Sequence, residues 1–565
     1  KFIPKHAFEG CSSLKMINIP LSVTLIDESA FKNCTSLAEI QIQSPILSIN
    51  DGVFEGCSSL VNVTIPSTVT SIGNNSFKGC SSLAEIKLPS SLQSLGSSAF
   101  SDCSSLKEVE IPSNVTSLGE SLFAKCSAIR NIILPPNLTI ISQSLFLQCA
   151  SLSSISIPQT VTKICDNAFS GCSSLPSISI DGQISELGCS TFSDCSSLVH
   201  FQVPMSISQI PSNAFKGCAS LIDIDIPESV THIGNSAFEG CTSLTKFELP
   251  PSLAILGDQS FSNCTSLNPI HFIDSLETIG KGAFENVPSF TELFIPSSIG
   301  FVDSGAFRKC KNLTKIEFDS SCTCIQPDAF AECDSLQTIV IRALFDFTLE
   351  AEILAAYSKV KFVEIQAPVA GIGQSAFEAF ENLEEVKLDN SIEEIHSSAF
   401  RFCSSLKSII LPESVTVINE SVFEGCSSLQ SLVLPPGITS IGDKAFSKCS
   451  SLRSIQFSES IESIGKNAFK GCNKLVELNL PSALTLIDDW SFSNCTALKS
   501  INISPSVEAI GQNAFRGCSS LAQLTIPNSV KIIGDTAFHG CKALTEITIL
   551  SSDLKIGKNV FNNCL

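Results

Sequence analysis

Along the chain, apolar residues recur in a pattern that mixes short alternation with a much longer period. In Leu14-x-x-Ile17-x-Ile19, Ile17 and Ile19 alternate with Met16 and Asn18, so one pair faces inward and the other outward, as in a short strand. Pro20 ends that strand because it cannot donate a ladder hydrogen bond, and the Ser and Thr around Val23 offer side-chain bonds to a turning backbone. Val23 and Ile26 are the next predicted core plugs. Gly73, Gly96 and Gly119 fall where a tight bend is expected, and the S-x-A-F stretch after them predicts about one helical turn. The unit then begins again. Phe returns every 23 residues from Phe8 to Phe330 and again from Phe377 to Phe561. Between those blocks the spacing is 47, which one copy with Leu354 in the Phe place and one added residue explains, making 25 copies in all. One coil cannot bury its own apolar positions, whereas stacked copies form a parallel ladder over a continuous core.

Cysteine shares the register. FEGCSSL stands at Phe8 to Leu14, at Phe54 to Leu60 and at Phe423 to Leu429, and 22 of the 26 cysteines lie three residues after the marker. The other copies carry Val287, Tyr357 and Phe380 there, all bulky and apolar. Parallel neighbours about 4.8 Å apart put these thiols in a column with side-by-side Cβ vectors, whereas a disulfide needs Cβ atoms that converge to about 3.8 Å. The column therefore reads as small apolar core residues. Cys165, Cys189, Cys322 and Cys324 are out of register. Cys322 takes the Val place of its copy and is expected in the core, while Cys165 and Cys189, at neighbouring bends, are the one pair placed for a bridge. Cys322-x-Cys324 has no second Cys or His pair nearby to complete four metal ligands.

The register L-x-x-I-x-I-P, I-G-x-x-A-F and F-x-x-C, repeated more than twenty times, resembles the BspA-like variant of the leucine-rich repeats across essentially the whole chain. The resemblance implies an α/β-type, curved, right-handed solenoid. A parallel sheet of short strands is then expected on the concave face, and short helical or 3₁₀ turns on the convex face. It also implies a surface or adhesive role of the kind found in host-associated bacteria and parasitic protists. Residues 1–341 and 366–565 are expected as repeat blocks, joined by a degenerate repeat at 342–365. In that repeat, Leu349, Ile353, Ala356 and Val360 recur at helical spacing, while Leu354, Val360, Val363 and Ile365 hold core places.

Charge narrows the partners. Acidic residues number 55 against 35 basic, a net charge of -20, which disfavours phosphate backbones and anionic membranes. No apolar run approaches the roughly 18 residues that cross a bilayer. No nucleic acid partner and no direct membrane insertion are expected. The chain starts at Lys1 inside a repeat and stops just after Phe561, which predicts a piece of a longer protein. Free thiols point to a reducing compartment, and ten N-x-[ST] sequons, such as Asn62 and Asn114, point outward. The family resemblance tips the expectation to a cell-surface or secreted protein, with a cytoplasmic location as the alternative.

Nothing in the sequence points to catalysis, a metal or a cofactor. His6, His200, His232, His271, His396 and His539 form no pairs at ligand or triad spacing. The outward strand positions, eight and ten after each marker, are the candidate partner-binding surface. They carry an acidic group at Glu39, Glu85, Glu108 and Glu110 with Lys87 among them. A second group comprises Asp223, Asp225 and Glu248 beside Lys246. Apolar residues at the same places are Ile133, Phe294, Val340, Ile410 and Val433. The expected function is a non-enzymatic protein-binding solenoid, either an adhesion or host-interaction module or an intracellular scaffold assembling other proteins.

Overall fold

A computed structural model of the protein describes residues 1–180, 183–319, 324–342, 348–349, 351–354, 357–366 and 368–564. Two compact units result, one of Lys1–Phe290 and Val302–Lys311, the other of Thr291–Phe301 and Asn312–Leu565. The same 23-residue coil builds both. Its first side is the alternating strand, paired in parallel and in register with the next copy: Met16, Ile17, Asn18 and Ile19 stand opposite Glu39, Ile40, Gln41 and Ile42. The β-branched Ile pairs fill the core side of this ladder. A turn closed by the Val69 amide donating to the Pro66 carbonyl follows. A second ladder comes next, of two-residue strands such as Ser48–Ile49 against Ser71–Ile72.

The third side corrects the expected helical turn. Among the described residues the one α-helix is Ala351–Leu354. Elsewhere the marker segment is a chain of turns in which alternate amides serve different carbonyls. Ser29, Phe31 and Asn33 donate across to Asp51, Val53 and Glu55 of the next coil, while Ala30, Lys32 and Cys34 donate back to Asp27, Ser29 and Phe31. A helix would commit every amide to its own coil. Left-handed residues two before and two after the marker make the alternation, as at Ser29 (φ 54) and Asn33 (φ 57). These places carry Gly, Asn, Ser and Asp in most copies, which tolerate that region.

The bend glycines also have a different reason from the expected one. A Cβ on Gly119 would lie 2.3 Å from the carbonyl carbon of Gly96, so Gly is required by the close approach of successive backbones. Asn and Asp stitch the same corner: the Asp51 carboxylate accepts the Asn74 amide at 2.7 Å, and the Asn74 side chain accepts the Ser97 amide at 2.8 Å.

Inside, the marker rings stack face to face. In the first unit their centroids run from 5.0 Å for Phe8 and Phe31 to 6.0 Å for Phe123 and Phe146. In the second they lie 5.1 Å apart at Phe377 and Phe400 and 5.6 Å apart at Phe538 and Phe561. Beside them runs the thiol column. Cys57 Sγ donates to the Phe31 carbonyl at 3.1 Å and Cys80 Sγ to the Phe54 carbonyl at 3.2 Å, each reaching back to the preceding coil. Twenty of the 22 in-register cysteines are buried, Cys11 is exposed and Cys564 half-buried, and all are free thiols. Cys165 and Cys189 are free as well. Cys322 lies outside the described residues. Val287, Tyr357 and Phe380, which replace the thiol, are buried.

In the degenerate repeat, Leu354, Val360, Val363 and Ile365 are buried. Its strand Phe362–Ile365 pairs with Thr338–Arg342 on one side and Glu385–Lys387 on the other. Ala356 lies outside the described residues.

Phe238 is fully buried, 5.5 Å from Phe215 and 5.2 Å from Phe261. Phe238→Ala is therefore expected to cost about 3–5 kcal/mol. Coils contact only their neighbours, so the loss of hydrogen-exchange protection should centre on the flanking copies. Uniform loss along the chain would contradict that picture.

Burial pushes the thiols of Cys149, Cys195 and Cys495 up to about 12, against a smaller opposing pull from a backbone amide of the preceding coil. The folded value exceeds the roughly 8.5 of an unfolded thiol, so this contribution is intact below about pH 8.5 and falls as pH rises towards 12. Each buried thiol that unfolding exposes should cost about 1.4 kcal/mol of stability per pH unit in that window. Urea melts from pH 7 to 10 should show a midpoint that drops steeply above about 8.5, with alkylation of native protein at pH 8 sparing the twenty buried thiols of the column and reaching Cys11, Cys165, Cys189 and Cys564. A midpoint flat to pH 10, or ready labelling of those twenty thiols in the folded chain, would count against the buried thiol column.

Candidate functional site

The outward side chains of the first ladder form two rows, because in-register parallel pairing repeats each position one strand spacing away. Thirteen of the fourteen residues expected on this face, from Glu39 to Val433, are exposed. Val340 is not: it is 3 % exposed. It stands in register between Glu317 and Glu364. Beside it, Glu317 holds Lys315 at 3.2 Å and Arg342 at 2.6 Å, so a network of long side chains crowds its strand.

The acidic group is contiguous. Glu85 stands opposite Glu108, and Glu108 and Glu110 stand opposite Asn131 and Ile133. Glu39 is separated from this group, with Asn62 opposite it. The second group is tied together by a residue that sequence reasoning left isolated. His200 Nδ1 lies 2.5 Å from Asp223 Oδ1, and Nε2 lies 3.6 Å from Asp225 Oδ2. Asp223 in turn faces Lys246, whose ammonium is 3.1 Å from Glu248. The signal was the spacing of 23 between His200 and Asp223. A recess of about 640 Å³ adjoins this cluster, with His200, Gln202 and Met205 in its wall. Lys315, Glu317 and Arg342 form a third charged group that the sequence reading passed over, although Lys315 and Glu317 hold the same eight and ten places.

The apolar members do not gather into one patch. Ile410 and Val433, on successive coils, are 85 % and 68 % exposed. Ile133 is 73 % exposed beside the acidic group, and Phe294 is 48 % exposed beside Glu317 in register. Among the described residues no group of three or more His, Cys, Asp or Glu side chains is arranged to hold a metal ion. No helix among them is long and apolar enough to cross a membrane. The face offers charge and shape to a partner.

The BspA type leucine rich repeat region matches the chain in six overlapping copies, at residues 1–130, 47–175, 118–245, 231–350, 349–472 and 439–565. The chain belongs to this family. Members of the BspA type carry the leucine-rich repeat, and solenoids of that architecture typically serve as protein-interaction modules. A leucine-rich repeat protein of Bacteroides ovatus is 25 % identical over 83 % of this chain and 88 % of its own, with a TM-score of 0.25. The T. pallidum leucine rich repeat protein is 30 % identical over 28 % of this chain and 77 % of its own, with a TM-score of 0.27. A leucine rich cell surface protein of Faecalibacterium prausnitzii is 22 % identical over 86 % of this chain and 87 % of its own, with a TM-score of 0.22. No curated protein matches the chain.

Like charges directly opposite on a parallel ladder repel, and Glu85 faces Glu108 in this BspA type chain. Glu108→Lys is expected to stabilise the coil by about 0.2–1 kcal/mol in low salt, with the gain shrinking as salt rises. Chemical denaturation at two ionic strengths checks this, and a destabilised variant would mean that Glu108 has a structural partner.

Proposed function

We propose that this chain is a non-enzymatic protein-binding solenoid. It works at a cell surface or after secretion in adhesion or host interaction, and its exposed strand face is the binding surface. One observation carries the reading. Within each coil the core places are set by stacking, the corner places by backbone approach and the marker turn by left-handed residues. The outward strand positions are free to differ from coil to coil, and they do. A rigid ladder then presents those differences in fixed register, which suits recognition because little side-chain and loop ordering remains to be done on binding. The contiguous Glu85, Glu108 and Glu110 favour a partner with a basic surface.

Replacing Glu85, Glu108 and Glu110 by Lys together is expected to leave folding within about 0.5 kcal/mol per site. The same variant should abolish or redirect capture by immobilised basic extracellular proteins. Glu9, Glu28 and Glu120, on the turns, serve as control reversals. Loss of binding in the turn variants with retention in the strand variants would remove the face assignment. Absence of label after surface biotinylation of intact cells and of their medium would remove the location.

A further inference from the structure

Trp490 is the chain's one tryptophan, and it stands where the fold least favours it. Two residues before a marker the backbone is left-handed, and most other coils place Ser, Asn or Gly there, as at Ser98 and Asn467. Trp490 has φ 61. For a bulky side chain that region is strained, and strain of this kind persists where something else holds or uses it. The indole is half-buried between coils, with Lys470 Nζ 4.8 Å from the ring centre and the Arg516 guanidinium 5.7 Å from it. Lys470 belongs to the coil before and Arg516 to the coil after. The ring thus fixes two cations along the turn side.

Lys470 belongs to a local reversal of charge. From Lys444 to Lys474 the sequence holds six basic residues against Glu459 and Glu462, in a chain of net charge -20. Among the described residues no carboxylate comes within ion-pair distance of Lys448, Lys466, Lys470 or Lys474, while Lys444 is 3.7 Å from Glu420. The nearby acids are otherwise engaged: Glu424 binds Arg401 at 3.1 Å, Asp443 accepts the Lys466 amide at 2.7 Å and Asp489 accepts the Gln512 amide at 2.7 Å. Lys444, Lys448 and Lys470 line one recess of about 350 Å³ with Asn467, Asn494 and the Arg401-paired Glu424.

We infer that this turn surface around Trp490 binds a linear sulfated glycan. The spacing selects the class. Lys444 and Lys448 stand one coil before Lys470, and Arg516 stands two coils after it. With coils about 4.8 Å apart these cations are spaced by one and two coils, and a chain of pyranose rings, which advances by about one coil per ring, brings its anionic groups into step with them. An extended acidic peptide repeats a given face about every 6.6 Å and runs out of step. Duplex DNA, with a phosphate about every 3.4 Å along each strand, is likewise out of step with the coils. The surface is separate from the strand face proposed above, so either can fail without the other.

The indole reports on its own site. Titration of the whole protein with heparin, exciting the single tryptophan, is expected to give a saturable emission change that weakens as salt is raised. Lys470→Glu with Arg516→Glu should weaken binding by about tenfold or more, whereas Lys87→Glu with Lys246→Glu on the strand face should change it less than about twofold. Trp490→Ser, read by retention on immobilised heparin, should lose binding without a lower melting temperature, because it removes a strained residue. Four results would overturn the inference: no binding of heparin, equal loss in the strand-face variant, equal or tighter binding of polyglutamate or an oligonucleotide, or a Trp490→Ser variant that melts earlier and still binds.

Discussion

Parallel stacking brings each residue within about 5 Å of its counterpart in the next coil, so every position must tolerate a copy of itself as neighbour. Phe meets this demand with stacked rings, and the gain is largest where the ring is fully desolvated, as from Phe31 to Phe123. Cys meets it by staying neutral. Burial raises Cys80 first, and the approach of the Cys57 thiol adds to it. The thiol bond to the marker carbonyl is secondary, since the Phe261 carbonyl still accepts the Cys264 amide at 3.2 Å where Val287 has replaced the next thiol. Gly meets the demand where backbones touch, and Asn or Asp where one corner side chain can accept the amide above it. Charges cannot stack on themselves without cost, and this is why the two outward rows change from coil to coil while the core rows do not.

That division of labour shapes what the solenoid can present. A substitution on a strand face disturbs neither the ring stack nor the corners, so the face can be acidic at Glu108, mixed at His200 and apolar at Ile410 without a change of fold. The turn side is less free, because each marker turn spends two positions on left-handed geometry. A large side chain at such a position, as at Trp490, carries a conformational cost, and it is therefore more informative than an exposed isoleucine on the strands.

Much of this architecture can be read in the chain itself. The 23-residue interval, the alternating Ile pair and the thiol register are periodic signals, and periodic signals survive the loss of any one copy. The turn was harder. S-x-A-F looks like a helical turn because Ala and Ser fit one, yet Asn33, Asp102 and Lys125 two residues after the marker share their place with Gly10 and Gly56. A place shared by Gly, Asn and Asp is the mark of a left-handed residue. Val340 was misplaced because outward direction alone does not measure cover from neighbouring side chains. His200 was read without its carboxylates, although adding 23 to its number finds Asp223. The contact of Trp490 with Lys470 and Arg516 runs diagonally between different repeat positions, so no count of the period could have revealed it.

The thiol column also bears on compartment. Free cysteines suggest a reducing milieu because exposed thiolates oxidise, and the reactive species is the thiolate. Cys449 and Cys472 are fully buried and held far above the ordinary thiol range by that burial, so the reactive form is scarce at any physiological pH. Side-by-side stacking removes the converging geometry that a disulfide between coils needs. Among the described residues the exposed thiols are Cys11, at the end of the stack, and Cys189, at a bend outside it. A core rich in cysteine is thus physically compatible with an oxidising exterior, and the tension between the thiols and a surface location disappears once the column is seen as packing.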